Sequence, residues 1–397
     1  MPTEVAQRYT LIIPTYNRPE DLRRLLGFLA HQQAAFKILV LDSSQPENYE
    51  RNLATAKRLP LDAEVVRFDP SIPPWEKFWH GGERVKTEFS SFCADDDLIL
   101  VSSIGPLVDF LAQHPDHSLA HGWYFTFYLS GAFGLTGFAY RSPSIEDADP
   151  ISRLHALFRN YEAVTYGVYR STVLKEVLRR VQGVGSMLGR ELLGGALTAV
   201  AGKTARLPLL YHGRSLGPSA TYVDWHPVDF LLTSPRALFE EYSRYREVLL
   251  EFYAACGHRM TDPVEVEKLV DLVHLRYLTE YFTPPVIDHL LECIQRGTPR
   301  GEVMGGVWPI LANKGGAEGA LQRSAALRKL RDRFVPWLRG YHVRKVLNPT
   351  AYEAIRSTTA SGAARTYEVY RAFRSAIVNG ALAYSDDWLT AILNGYE

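Results

Sequence analysis

Asp95-Asp96-Asp97 sets three carboxylates in a row between two apolar stretches, Phe89 to Ala94 and Leu98 to Val101. Adjacent carboxylates repel one another, and a folded chain tolerates them in water or around a shared cation. This run falls where a buried strand would leave a sheet, so solvation alone accounts for it poorly. Hard oxygen ligands of this kind suit Mg²⁺ or Mn²⁺, ions that also take phosphate oxygens from a substrate. The alternative is an acidic strand-to-loop turn with a helix cap, and on these residues alone both readings stand.

The elements that must position such a run are legible upstream. Tyr9-Thr10-Leu11-Ile12-Ile13-Pro14 reads as a short buried strand ending at Thr15-Tyr16-Asn17-Arg18-Pro19. A helix follows from an acidic start at Pro19-Glu20-Asp21, with Leu22, Leu25, Leu26 and Leu29 on one face. Phe36 to Leu41 is a second strand ending at Asp42-Ser43-Ser44, Pro46 to Leu59 a second helix, and Ala63 to Phe68 a third strand. Strands alternating with helices imply a parallel sheet with crossover connections, whose carboxyl ends line one ligand-binding edge. Tyr16, Asn17, Asp42 and the Asp95–Asp97 run all follow strand ends, so the topology gathers three loops into one candidate site.

Composition bounds the rest. The chain has 397 residues, 46% hydrophobic and 22% charged, as expected of a globular protein with one larger and one smaller domain. Lys+Arg and Asp+Glu are equal at 44 each, which speaks against a nucleic-acid partner. Cys93, Cys256 and Cys293 lie far apart and make no CxxC pair, which suits a reducing cytoplasm and neither a disulfide framework nor structural zinc. No apolar run approaches the roughly 20 residues of a membrane span, and Met1 to Thr10 has no signal-peptide core.

Leu11-Ile12-Ile13-Pro14-Thr15-Tyr16-Asn17-Arg18, Val40-Leu41-Asp42-Ser43-Ser44, and Thr87-Glu88-Phe89-Ser90 leading into Ala94-Asp95-Asp96-Asp97 resemble the inverting GT-A glycosyltransferases of family 2. They match, in order, the family's nucleotide-binding start, its second-strand acidic turn and its DXD motif. The likeness spans about residues 8 to 215. It implies a nucleoside-diphosphate sugar donor, with base and ribose held by Pro14, Tyr16, Asn17, Arg18 and Asp42. It also implies Mn²⁺ or Mg²⁺ bridging the diphosphate to Asp95 and Asp97, with Asp96 beside them. Many relatives carry two acids at the second-strand turn. Here the pair is Asp42-Ser43, which leaves the nucleobase open.

The resemblance extends to further residues. Pro73-Pro74-Trp75-Glu76-Lys77-Phe78-Trp79 corresponds to a helix crossing beneath the donor, where Lys77 would face the diphosphate; the alternative is a surface lysine on an amphipathic helix. Leu188-Gly189-Arg190-Glu191-Leu192-Leu193 stands where the family keeps its general base, so Glu191 is expected to deprotonate the acceptor. A glycine and two leucines around it would desolvate the carboxyl and raise its pKa; the alternative is an Arg190–Glu191 surface pair at a helix start. His212, or else His226, is expected to complete the metal shell, and Arg214 to clamp the diphosphate. His121 to Tyr128 and Thr136 to Tyr140 are aromatic strands, suited either to an acceptor platform or to a core.

From about Ser234 helical spacing takes over, starting at Ser234-Pro235 and again at Thr261-Asp262-Pro263, with Leu269 on the second apolar stripe and a break at Pro284-Pro285. Further helices are expected over 321–346 and 350–395. The expected organisation is a GT-A domain over 1–230 and an all-α domain over 231–397. Arg323 to Lys345 holds eight Lys/Arg and one Asp among apolar residues, a pattern that suits either peripheral contact with an anionic inner membrane face or a solvated helix. The function expected is metal-dependent, inverting transfer of a sugar to a saccharide or lipid-linked saccharide acceptor in bacterial surface polysaccharide or glycolipid synthesis. Two rivals are a sugar-1-phosphate nucleotidyltransferase, whose glycine-rich first loop is replaced here by Pro14-Thr15-Tyr16-Asn17, and a degenerate scaffold or carbohydrate-binding protein.

Overall fold

Strands buried on both faces need apolar side chains in continuous runs, and the N-terminal half supplies them. The computed structural model describes residues 3–128, 134–139, 143–159, 161–215, 235–258 and 262–281, with isolated positions 289, 292, 293, 295–298, 302, 303, 306 and 310. Strands β1 (Tyr9–Thr15), β2 (Lys37–Asp42), β3 (Ala63–Arg67) and β4 (Phe89–Phe92) run parallel in the order β3-β2-β1-β4. Alternation along each strand divides the side chains between two apolar clusters. Leu11, Ile13, Ile38 and Val40 face one, and Ile12, Leu39 and Leu41 face the other. Helix α1 (Thr3–Arg8) precedes β1, and α2 (Pro19–His31), α3 (Pro46–Arg58) and α4 (Pro74–Glu83) connect these strands. On α2, Leu22, Leu25, Leu26 and Leu29 are buried, each contributing about 1.5–3 kcal/mol relative to exposure.

The second half of the sheet is mixed. It comprises β5 (Leu98–Ile99), β6 (His117–Tyr128), β7 (Gly134–Ala139), β8 (Val168–Arg170) and β9 (Lys203–Ser215), with helices α5 (Val101–Gln113), α6 (Pro150–Arg159), α7 (Ser171–Arg180) and α8 (Met187–Ala201). Strand order continues β4-β8-β6-β9-β5, with β7 paired to β6. Antiparallel pairing of β5 with β9 sets Ile99 opposite His212 and Leu98 opposite Gly213, which brings the end of β9 under the acidic run. Helix α5 opens at Val101, five residues ahead of its internal Pro106, and the Gln32 side chain caps that end by accepting the Val101 N–H at 3.0 Å.

Helix α4 lies close against the sheet because of Gly81-Gly82. A Cβ at Gly81 would collide with the Leu41 side chain, and one at Gly82 would come within 2.7 Å of Leu178. Gly81→Ala is therefore expected to cost about 1–3 kcal/mol by overpacking, seen as a lower urea midpoint at unchanged slope. An unchanged midpoint would mean that Leu41 has room to move.

Helices α9 (Pro235–Ala255) and α10 (Pro263–Tyr281) follow. Tyr245, Leu249, Phe252, Val270, Val273 and Tyr277 belong to the same apolar cluster as Leu157, Leu174, Leu188 and Leu197. The core thus continues across the boundary expected at 230/231. Leu269, expected on the apolar stripe, is instead exposed. None of the described helices is long and apolar enough to cross a membrane. Tyr140, His226, Pro284-Pro285, the basic stretch from Arg323 to Lys345 and the helices expected over 321–346 and 350–395 lie outside the described residues.

Candidate active site

Parallel pairing of Thr15 with Asp42 levels the ends of β1 and β2, so their loops touch. Asn17 is the tie between them. Its φ of 54° lies in the left-handed region, which asparagine tolerates better than most residues. Its N–H donates to Ser44 Oγ at 2.8 Å, and its Oδ1 accepts from the Gln45 N–H at 2.9 Å and Asn48 Nδ2 at 3.2 Å. Asp42 is fully buried and accepts from the Ser44 N–H at 2.7 Å and Asn52 Nδ2 at 2.8 Å. Both polar side chains are thus turned toward the protein, where they shape the turn. Pro14 lies in β1 opposite Leu41, and Tyr16 stands 49% exposed at the rim.

Lys77 is buried, which overturns the alternative of a surface lysine. The close approach of α4 turns its ammonium inward, where Nζ donates to Thr15 O at 3.0 Å and Ser43 Oγ at 2.8 Å. Burial lowers its pKa to about 8, against the upward pull of Asp95 and Asp42. The cation thus braces the loops after β1 and β2 from beneath.

The acidic run follows β4. Asp95 Oδ2 accepts from Thr15 Oγ1 at 2.7 Å, and Arg18 Nη1 reaches Asp95 at 3.3 Å and Asp96 at 3.1 Å. Burial, then the neighbouring charge of Asp96, raises Asp95 to about 6; burial and Asp97 also raise Asp96. The negative charge of the run is thus only partly offset by Arg18 and Lys77. Asp97 looks toward β9, where its Oδ1 accepts the Ser215 N–H at 2.8 Å and its Oδ2 lies 3.0 Å from His212 Nε2. Arg214 Nε lies 4.0 Å from the same oxygen.

A divalent ion fits this donor set in one manner. Among the described residues no three His, Cys, Asp or Glu side chains form a metal cage. Asp97 and His212 nevertheless converge within 3.0 Å. One carboxylate and an imidazole, completed by phosphate oxygens and water, suit an Mg²⁺ or Mn²⁺ ion that arrives with a diphosphate.

Glu191 lies in the second turn of α8, which Ser186 caps by accepting the Gly189 N–H at 2.9 Å. Its carboxyl is partly buried, with Tyr161 Oη 3.3 Å from Oε1. Burial raises its pKa to about 7, and the Tyr161 hydrogen bond opposes the shift. The desolvating wall is aromatic: the Tyr161 ring packs 5.5 Å from Phe158 and 5.3 Å from Tyr277 of α10. The surface-pair alternative for Arg190 and Glu191 does not hold, since Arg190 Nε donates to Val184 O at 2.6 Å.

Two tyrosines that sequence reasoning passed over complete the site. Tyr161 touches Glu191, and Tyr166 lies on the β9 side: its ring is 5.1 Å from His212 and 5.1 Å from the Arg214 guanidinium, and its turn, Val164–Tyr166, packs against α8. Burial raises the Tyr166 pKa well above 10, and the charges of Asp97, Glu191 and Asp96 add to the shift. The sequence signal was only an aromatic pair before a short strand. Conversely, Tyr124, Phe125 and Phe127 of β6, weighed as an acceptor platform, are buried in the core; Tyr140 lies outside the described residues.

Residues 10–179 match the family model described as Glycosyl transferase family 2. Among solved structures the chain is similar to S. aureus TarS 1-349, at 16% identity over 62% of this chain and 70% of that one, with a TM-score of 0.40. It is likewise similar to S. aureus TarS at 17% identity, over 62% and 42% of the chains, with a TM-score of 0.40. TarS 1-349 in complex with UDP-GlcNAc is similar at 16% identity, over 62% and 71%, with a TM-score of 0.41. No curated protein matches the chain.

Proposed function

We propose that the chain, whose residues 10–179 match the family model described as Glycosyl transferase family 2, is a glycosyltransferase of GT-A fold that transfers a sugar from a nucleoside-diphosphate sugar to an acceptor hydroxyl with inversion. The observation that carries this reading is Glu191: a carboxyl on the second turn of α8, partly buried with Tyr161 Oη 3.3 Å from it and lifted to about 7 by that burial. A base poised near neutrality accepts a proton and remains strong enough to matter.

Glu191 takes the proton from the acceptor hydroxyl as that oxygen attacks the anomeric carbon. The new carbon–oxygen bond forms opposite the bond to the diphosphate, which breaks with its electron pair on the phosphate oxygen. Arg214 is suited to the departing diphosphate by its planar fork of donors. Asp97 and His212 would hold a divalent ion, which when bound offsets charge on the diphosphate. Asp95 and Asp96 border that position, with Arg18 between them and the loop after β1. Tyr16, at the open rim, offers a ring face to a nucleobase, and Pro14, Asn17, Asp42 and Lys77 hold the shape of the nucleoside loops. The acceptor is a saccharide or lipid-linked saccharide, as in surface polysaccharide or glycolipid synthesis.

Incubation with Mn²⁺ and a panel of nucleotide sugars should release nucleoside diphosphate from at least one donor. NMR coupling constants of the product should show an anomeric configuration opposite to that of the donor. Retained configuration would remove the base role of Glu191, and no release from any donor would leave the scaffold reading.

A further inference from the structure

Tyr166 touches the β9 side of the site, and the turn that carries it packs against α8, the helix of Glu191. It ends the short 3-10 turn Val164–Tyr166, and its main chain is fixed from two sides. Its carbonyl accepts from Tyr211 Oη at 2.6 Å, and the Gly167 N–H donates to Val164 O at 3.0 Å. The ring packs 5.1 Å from His212 and 5.1 Å from the Arg214 guanidinium. Its phenol nevertheless makes no hydrogen bond among the described residues, although the side chain is only partly exposed. A polar group in that position calls for water or a ligand.

We propose that the Tyr166 hydroxyl hydrogen-bonds the sugar under transfer, in the space between the diphosphate beside Asp97 and Arg214 and the acceptor hydroxyl beside Glu191. The inference rests on the glycosyl-transfer reading. In an inverting displacement the anomeric carbon lies between the leaving oxygen and the base. A side chain within reach of the groups on both sides therefore meets the sugar ring, while the nucleoside lies further along the loops after β1 and β2. A phenol carries one O–H donor, which suits it to a sugar oxygen. Ring contacts on the His212 and Arg214 sides leave it little freedom to rotate away.

Tyr166→Phe removes one hydroxyl and keeps the ring. The donor used is whichever nucleotide sugar the native protein turns over. For that donor kcat/KM is expected to fall about tenfold, the effect of one neutral hydrogen bond. Affinity for the corresponding nucleoside diphosphate should not change, because that ligand lacks the sugar. The melting temperature should also hold, since among the described residues the hydroxyl has no partner to lose. An unchanged kcat/KM, an equal loss of nucleoside diphosphate affinity, or an effect confined to the acceptor KM would each overturn the assignment. The two readings separate cleanly: native turnover with an insensitive Tyr166→Phe removes only the Tyr166 role. No turnover by the native chain removes glycosyl transfer and the inference together.

Discussion

Glu191→Gln is expected to lower turnover by about 10² to 10⁴, the usual contribution of a general base, with donor affinity nearly unchanged. Glutamine keeps the size of the side chain and its acceptance from Tyr161, and it loses only the capacity to take a proton. The pH profile supplies an independent reading. With a pKa of about 7, the native carboxyl is protonated below neutrality, so the rate should fall about tenfold per unit on the acid side; the glutamine variant should lack that limb. Stability should move in the opposite direction. The folded-state pKa stands above the ordinary value of 4.5, so the folded chain binds more protons than the unfolded one between those two values. Native stability therefore declines as pH rises through that window, by up to about 3 kcal/mol. Glutamine mimics the protonated carboxyl, so the variant should melt higher than the native protein at pH 8 and alongside it below pH 4.5. Loss of activity without this pH-dependent gain would indicate that Glu191 is solvated and that the base lies elsewhere.

The readable part of this protein is the part whose neighbours are close in sequence or repetitive in pattern. β1, β2 and β3 announce themselves because strands covered on both faces must be apolar throughout, and their loops inherit a common edge from parallel topology. Tyr16, Asn17, Asp42 and the acidic run could therefore be gathered before any coordinates. The direction in which a side chain turns at that edge was not readable. Asp42 and Asn17 look like ligand-facing groups in sequence, yet they satisfy backbone and side-chain donors of the adjoining loop. Lys77 lies among Trp75, Phe78 and Trp79, which reads as an amphipathic stripe with a charged outer face. Gly81 lets α4 press closely on Leu41 and Gly82 on Leu178, so that the lysine face is enclosed as well.

Longer-range features had no local signature. The β5–β9 pairing joins residues more than one hundred positions apart, and only through it do Asp97 and His212 meet. The spacing of Tyr245, Leu249, Val270, Val273 and Tyr277 announces apolar stripes without naming what covers them. In the fold they close the same core that desolvates Glu191, so the helices after residue 230 bear on the proposed base. Tyr166 was hidden for a related reason. A tyrosine before a strand usually packs, and its importance lies in contacts with Arg214 and His212 from a distant strand.

Chelation is the other large effect. Excess EDTA should lower turnover by about 10³ or more, and Asp97→Asn should weaken donor binding in Mn²⁺ to a similar degree. Asparagine can still accept the Ser215 N–H, so the variant should fold, but it brings no negative charge to the ion. The magnitude follows from electrostatics. A diphosphate close to Asp95, Asp96 and Asp97 meets like charge, and two unit charges 4 Å apart repel by about 4 kcal/mol at an effective dielectric of about 20. The structure offers a rival neutraliser in Arg18, whose Nη1 spans Asp95 at 3.3 Å and Asp96 at 3.1 Å. That guanidinium is 43% exposed at its side chain and contributes one positive charge against three carboxylates. A divalent ion between Asp97 and the diphosphate adds two more where Arg18 does not reach. If the ion is required, Arg18→Ala should reduce donor affinity modestly, and added Mn²⁺ should recover part of the loss. If Arg18 suffices, EDTA should leave the native rate intact while Arg18→Ala abolishes it at every Mn²⁺ concentration. That second pattern would make Asp95–Asp97 an internally balanced turn, and the hard-ligand reading of the acidic run would be wrong.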